Sequence, residues 1–107
     1  MKTNVSTAFA ALADPTRIQV FERLARKPMP VVELAAGLSV SRPAVSQHLK
    51  VLGNAGLVTH HKQGTSNVYR LDPRGIETVH GYLDRFWDRA LAAFQAEVER
   101  TEKESDT

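Results

Sequence analysis

Residues 40–52 read Val40-Ser41-Arg42-Pro43-Ala44-Val45-Ser46-Gln47-His48-Leu49-Lys50-Val51-Leu52, VSRPAVSQHLKVL. On a helical wheel Val45, Leu49 and Leu52 fall within about 60° of one another, which makes a buried stripe. The opposite side carries Pro43, Gln47 and Lys50, flanked by Ser46, Ala44 and Val51, with Arg42 projecting from the first turn. That side is neither a Glu/Lys solvent coat nor a second apolar face. Its small, polar, mildly cationic residues suit a helix that must approach a groove closely. Ser46 is too short to hold such a helix away, Gln47 can pair two-pronged with an adenine edge, and Arg42 can do so with a guanine edge. Lys50 suits a phosphate.

The flanking segments extend this reading. Ser41 is a good N-cap, and Pro43 sits in the first turn, where a missing N–H costs little. The helix ends near Gly53-Asn54-Ala55-Gly56. Before it, a short helix over 31–36 turns Val31, Leu34 and Ala35 to the core. Gly37 is read as its stop, through the left-handed conformation glycine tolerates. Leu38-Ser39-Val40 then makes a tight turn, so the whole is a helix-turn-helix with groove-suited residues near the second helix's start. After it, residues 57–62 and 67–71 are β-branched or aromatic runs around Gln63-Gly64-Thr65-Ser66, the pattern of a hairpin. Such a hairpin is a wing, with Lys62 and Arg70 available to phosphates.

Further out, a first helix over about 5–13 places Val5, Phe9 and Leu12 on one stripe. Asp14 and Pro15 open a second helix that runs to Arg26 with Ile18, Phe21 and Leu24 inward, and Pro28 and Pro30 close it. Asp72-Pro73-Arg74-Gly75 ends the hairpin, and a long helix covers about 76–100. The expected fold is mainly α with a small β-hairpin, α-α-α-α-β-β-α, a winged helix-turn-helix. Residues 1–100 form one DNA-binding and dimerisation domain, and the polar end 101–107 is expected to be disordered.

Composition bounds the function. The chain has 107 residues, 42% apolar and 24% charged, which suits one modest globular core. There is no apolar run near 18 residues, no leader-like N-terminus and no cysteine, so a cytoplasmic protein without membrane contact, disulfides or thiolate metal sites is expected. The net charge of +2 is unevenly spread. Residues 40–74 carry Arg42, Lys50, Lys62, Arg70 and Arg74 against Asp72 alone, net +4, while residues 75–107 are net −4. A basic middle beside an acidic end fits one face turned to a polyanion. No nucleophile elbow, Gly-rich phosphate loop or metal cluster supports catalysis, and no cofactor is expected.

The last helix carries more apolar surface than one small core needs. Val79, Leu83, Phe86 and Ala90 form one stripe, and Tyr82, Trp87, Leu91, Phe94 and Val98 run beside it. One stripe is left for a partner. The expected dimer interface is Tyr82, Leu83, Phe86, Trp87, Leu91 and Phe94, with Val5, Phe9 and Leu12 of the first helix against it.

Three motifs carry a resemblance to a known family. Ala11-Leu12-Ala13-Asp14-Pro15-Thr16-Arg17 resembles the ALADPTR signature of ArsR/SmtB-type winged-helix repressors. The pattern SxxAVSxHLxxLxxAGLV over 41–58 and the Gly64…Tyr69-Arg70-Leu71 wing are similar to theirs too, in the same order, over about residues 5–98. The resemblance implies a homodimeric bacterial repressor that binds an imperfect palindrome in its own promoter region. It places Arg42, Pro43, Ser46 and Gln47 at the base-reading positions, in agreement with the wheel. Ser41, Lys50, Lys62, Thr65 and Arg70 are assigned to phosphates and the wing. His48 matches a common family histidine off the groove-facing centre.

Two departures stand out. Many members carry a basic residue after the wing glycine, where this chain has Thr65. Metal-sensing members ligate through a Cys-x-Cys whose positions are Pro30 and Val32 here, or through a last-helix set that, aligned on His80, falls on Thr78, Leu91 and Phe94. Adjacent His60 and His61 on a strand point to opposite faces and cannot chelate together. No metal site is expected, and the sequence names no inducer. Two alternatives to the DNA-binding repressor remain at this point: a winged helix serving only protein–protein contact, and a metal-responsive repressor using His80 in an inter-chain site.

Overall fold

The structure, a computed structural model, describes residues 4–105. In chain order it comprises α1 (Val5–Ala11), α2 (Pro15–Arg26), β1 (Met29–Pro30), α3 (Val31–Ala36), α4 (Arg42–Asn54), β2 (Val58–Gln63), β3 (Ser66–Leu71) and α5 (Pro73–Ser105).

Helix starts are set by short polar side chains. Asn4 caps α1, its Oδ1 accepting from the Ser6 and Thr7 amides at 2.9 and 3.3 Å. Asp14 caps α2 in the same way, accepting from Thr16 at 2.8 Å and Arg17 at 3.1 Å, with Pro15 at the first helical position. The Arg17 side chain turns back, and its Nε donates to the Ala11 carbonyl at 2.6 Å. One seven-residue segment therefore satisfies the last turn of α1 and the first of α2, which is what the ALADPTR run accomplishes physically.

The core is formed around Val20, Leu34, Val45, Leu49, Leu52 and Leu57, each at most 1% exposed. Fully burying such side chains contributes about 1.5–3 kcal/mol apiece. Ala8 and Ala11 of α1 are buried beside them. In α2 the inward residues are Val20 and Leu24, with Phe21 at the margin, whereas Ile18 is 38% exposed. Ile18, expected inward, lies about 120° around the helix from Leu24, past the edge of the buried stripe.

The hairpin is as expected, with one addition. β2 and β3 pair antiparallel from Val58↔Leu71 to Gln63↔Ser66, and the two-residue Met29–Pro30 strand adds to the far edge of β3 to give the order β1-β3-β2. Proline is tolerated there because β1 is an edge strand. Gly64 opens the two-residue turn at φ +66°, a conformation that costs other residues of the order of 1–3 kcal/mol.

α4 ends in a Schellman motif. The Gly56 amide donates to Gly53 O and the Leu57 amide to Leu52 O, both at 3.0 Å, with Gly56 at φ +78°. Gly37, expected to end α3 in the left-handed region, has φ −94° instead. The Arg23 guanidinium lies against it instead, 2.3–2.6 Å from where a Cβ would stand, and donates to the Glu33 carbonyl at 3.3 Å.

α5 starts three residues earlier than the sequence pattern indicates and ends five later. Asp72 caps it as Asp14 caps α2, accepting from the Arg74 amide at 3.0 Å, with Pro73 first in the helix. Residues 101–105, expected to fray, continue the helix, in which Arg100 pairs with Glu97 and the Thr101 hydroxyl donates to Glu97 O at 2.9 Å. Residues 106 and 107 lie outside the described set. The 33-residue helix gives the chain its elongated 73 × 28 × 21 Å shape.

Both capping carboxyls titrate below the ordinary aspartate range. The Arg17 backbone amide holds Asp14 down, and the Arg74 side chain does so for Asp72. A carboxyl with a depressed folded-state pKa stabilises the fold above its unfolded value near pH 4 and loses that contribution as pH falls through the folded value. The melting temperature of the native chain should therefore be insensitive to these groups between pH 7 and 5 and fall below about pH 4. In Asp14→Asn/Asp72→Asn, which retains cap acceptors, that acid limb should flatten; an unchanged limb by calorimetry would contradict the assignment.

Candidate nucleic-acid interface

α3, the turn at 37–41 and α4 make the helix-turn-helix. Ser41 caps α4 by accepting from the Ala44 amide at 3.3 Å, which leaves its hydroxyl proton free to donate outward. Arg42, Pro43, Ser46, Gln47 and Lys50 are all exposed, while Val45, Leu49 and Leu52 on the reverse side are at most 1% exposed. The four base-reading candidates and Lys50 thus form one outward surface on a helix anchored firmly from behind. His48 is half-buried at its edge.

The hairpin sorts its residues by face. In a β-ladder, side chains of paired residues share a face and alternate along each strand. His60↔Tyr69 and Lys62↔Asn67 are pairs in register with the core pair Val58↔Leu71, so they lie on the sheet face that meets α4. Thr59↔Arg70 and His61↔Val68 lie on the other. Lys62 and Arg70, grouped by the sequence reading, are therefore on opposite faces, with Lys62 on the recognition-helix side. Thr65 is exposed in the turn beside Gly64. His60 and His61 also lie on opposite faces, as their adjacency requires.

Electrostatics favour an anionic partner. From residue 34 to residue 71 the chain contains no Asp or Glu. The exposed face of α4 and the whole hairpin therefore present only cationic or uncharged side chains and backbone.

The other exposed surface is apolar. Along α5, Leu83 is 37%, Phe86 45%, Trp87 57%, Leu91 55% and Phe94 66% exposed. The Phe9 ring meets Tyr82 edge-on at 5.8 Å, so α1 packs on α5 as expected, with Val5 and Leu12 half-buried beside it. Tyr82 continues to Phe86 at 6.4 Å and Phe86 to Trp87 at 5.7 Å. Beyond Tyr82, the apolar face formed by Leu83, Phe86, Trp87, Leu91 and Phe94 stays open among the described residues.

The metal-ligand positions of the resemblance are occupied by side chains that bind no metal. Pro30 is in β1, Val32 is exposed on α3, and the Thr78 hydroxyl donates to Arg74 O at 3.0 Å. His80 has an Asp84 carboxylate oxygen 3.6 Å from its Nδ1 on the same helix. Among the described residues no three His, Cys, Asp or Glu side chains gather as a metal site.

Comparison with known proteins agrees with this geometry. The sequence pattern of the bacterial regulatory protein arsR family matches residues 14–60, from the cap of α2 into β2. The HTH-type transcriptional regulator Rv2034 of Mycobacterium tuberculosis is 56% identical over 87 residues, 81% of either chain. This chain belongs to the ArsR family. An ArsR-like transcriptional regulator from Rhodococcus sp. RHA1 superposes with a TM-score of 0.72 at 36% identity, over 84% of this chain and 88% of that one. The homodimeric winged helix-turn-helix DNA-binding domain Mb0332 of Mycobacterium bovis does so at 0.65 and 25% identity, over 81% of each. The ArsR assignment makes the protein a winged-helix, DNA-binding transcriptional regulator, in a family of regulators rather than enzymes.

The sequence reading missed residues on the inner side of this interface. Asn54 follows Ser46 and Lys50 at steps of four along α4, and it lines with them a groove whose other wall includes His60 and Tyr69. The spacing was visible in the sequence; the opposing wall was not.

Proposed function

We propose that the protein is a cytoplasmic homodimeric repressor that binds a near-palindromic operator, its own promoter region included. The observation that carries this reading is the exposed, acid-free face of α4 held on a fully buried reverse side. In it Arg42, Pro43, Ser46 and Gln47 read base edges in the major groove. Ser41, Lys50, Lys62, Thr65 and Arg70 contact the backbone from the helix start and the wing. The uncovered α5 stripe, with α1, joins two protomers. Dimerisation sets two recognition helices about 34 Å apart, one turn of duplex. A winged helix used only for protein contact would carry apolar or acidic groups where Arg42, Gln47 and Lys50 stand.

The test is selection of binding sites from random duplex DNA, followed by gel shift on the recovered sites and on the region upstream of the gene. A near-palindrome with half-sites one turn apart is the expected product; recovery of no preferred sequence would overturn the reading. Phosphate contacts have their own signature. Lys50→Ala and Lys62→Ala should weaken selected and scrambled duplexes alike and reduce the salt slope by about one unit per lost contact. A loss confined to particular base positions would reassign these lysines to base reading.

A further inference from the structure

Between α2 and the turn of the helix-turn-helix lies an open hollow of about 400 Å³ that shares no residue with the base-reading surface. Gln19, Glu22, Arg23 and Arg26 form one wall, since steps of three, one and three residues keep them on one face of α2. The turn at 37–39 forms the other. Neither arginine is in an ion pair among the described residues, and Glu33 of α3 is taken by Lys27 at 2.7 Å. Arg23 is short of partners in a second way. Its Nη2 donates to the Glu33 carbonyl at 3.3 Å, but its Nε is buried with no hydrogen-bond partner. A buried donor left unmade costs free energy, more so on a charged group. The same guanidinium rests against Gly37, in space that a Cβ would fill.

The lining specifies a ligand by its charge. Two guanidiniums and one carboxylate give this wall a net charge of +1, from +2 and −1. Guanidinium groups grip carboxylates two-pronged. Glu22, on the same wall, requires a donor from whatever the arginines hold. A volume of this order is that of small-molecule sites. We propose that the hollow is an effector site for a small organic carboxylate that also carries an ammonium or hydroxyl group. Arg23 and Arg26 hold its acid end, Glu22 accepts from its donor, and Gln19 and Ser39 add neutral hydrogen bonds. Arg23 carries occupancy to the DNA-binding helix, because it joins α2 to α3 and to the turn at once. Ser39 lies two residues before Ser41, the cap of α4. A carboxylate that takes the fork of Arg23 competes with the Glu33 carbonyl and draws the guanidinium off Gly37. That loosens the turn that aims α4. On the regulator reading, on which this coupling rests, the bound acid weakens the operator complex.

The experiment uses the full chain and three four-carbon diacids of matched skeleton: succinate without a donor, malate with a hydroxyl and aspartate with an ammonium. Binding is followed by calorimetry and by backbone amide shifts, at matched ionic strength. Malate and aspartate should bind more tightly than succinate and shift the amides of residues 37–39. Arg26→Gln should weaken all three about tenfold or more, the effect of losing a hydrogen bond to a charged group. Glu22→Gln should remove the preference for aspartate over succinate. Arg23→Lys keeps the charge but not the fork, and should also weaken all three. Circular dichroism and thermal melting confirm folding of each variant; Arg26 and Glu22 are exposed, so their replacement leaves the core intact. Saturating aspartate should weaken wild-type binding to a selected duplex by a factor of about 5–150, the ordinary range of coupling between two sites, and the duplex should weaken aspartate binding equally. No amide shift at 37–39 with any of the three acids at millimolar concentration would overturn the site. So would binding that Arg26→Gln and Arg23→Lys leave within twofold of wild type. Duplex affinity unchanged or raised by bound aspartate would overturn the effector role. A wild type that recovers no preferred duplex overturns the regulator reading and the coupling with it, while the amide shifts of the chain alone still decide the carboxylate seat.

Discussion

Leu83→Asp combined with Phe94→Asp should convert the protein into a folded monomer that has lost specific DNA binding. Both side chains are open in the single chain, at 37% and 66% exposure, so neither substitution removes a core contact. Each places a carboxylate on the open apolar face of α5 proposed to meet a second copy, where an unpaired charge would have to be desolvated. Linking two binding units raises overall affinity by about 10²–10⁴-fold over either alone. Affinity for a selected palindromic duplex should fall by a factor in that range, while affinity for an isolated half-site should change little. Helix content by circular dichroism should be retained. Sedimentation of the wild type as a monomer at micromolar concentration would reject the interface, as would a double variant that still sediments as a dimer.

Arg42→Ala and Gln47→Ala should each cost about 1–3 kcal/mol on the selected site, since a good bidentate pairing with a base edge discriminates by that amount. The two lie on one exposed surface of α4 and make no contact with the core, so melting temperature should be unaltered. The loss should be specific: scrambled duplex should be bound nearly as well by Gln47→Ala as by wild type, and sequence preference should relax at the bases each residue reads. Arg42→Ala should also lower nonspecific affinity modestly, because it removes a cation near the backbone. Repeating the random-pool selection with each variant checks this. Recovery of the wild-type consensus by both variants would mean that other residues read the bases.

The legible parts of the molecule are those encoded by local chemistry. The α4 wheel separated Val45, Leu49 and Leu52 from Arg42, Gln47 and Lys50, and burial follows that division residue by residue. Asp14-Pro15 announced a helix start because both residues act within the turn they occupy. The same dipeptide chemistry at Asp72-Pro73 was read as the end of the hairpin; it is also the start of α5, because an Asp-Pro pair that stops a strand can cap the helix that follows. Gly56 and Gly64 took positive φ at a helix end and a turn. Gly37 did not, since what it accommodates is the Arg23 side chain from another helix.

The amino-acid sequence alone thus determined the order of the five helices and the hairpin, the buried and outward faces of α4 and the absence of acidic groups across the helix and hairpin. Helical period, capping and turn preference are properties of a few neighbouring residues. Only the tertiary structure decided how separate segments meet. It added β1 to the edge of β3, through a pairing between residues about forty positions apart that no local pattern encodes. It put Lys62 and Arg70 on opposite faces, because strand register fixes which side each residue takes. It packed α1 on α5 through Phe9 and Tyr82 and left Leu83, Phe86, Trp87, Leu91 and Phe94 open, since only the first turns of the long helix, at Ile76 and Val79, reach the small core. And it brought Asn54 opposite His60 and Tyr69, a juxtaposition that exists only once the hairpin has folded against the end of α4.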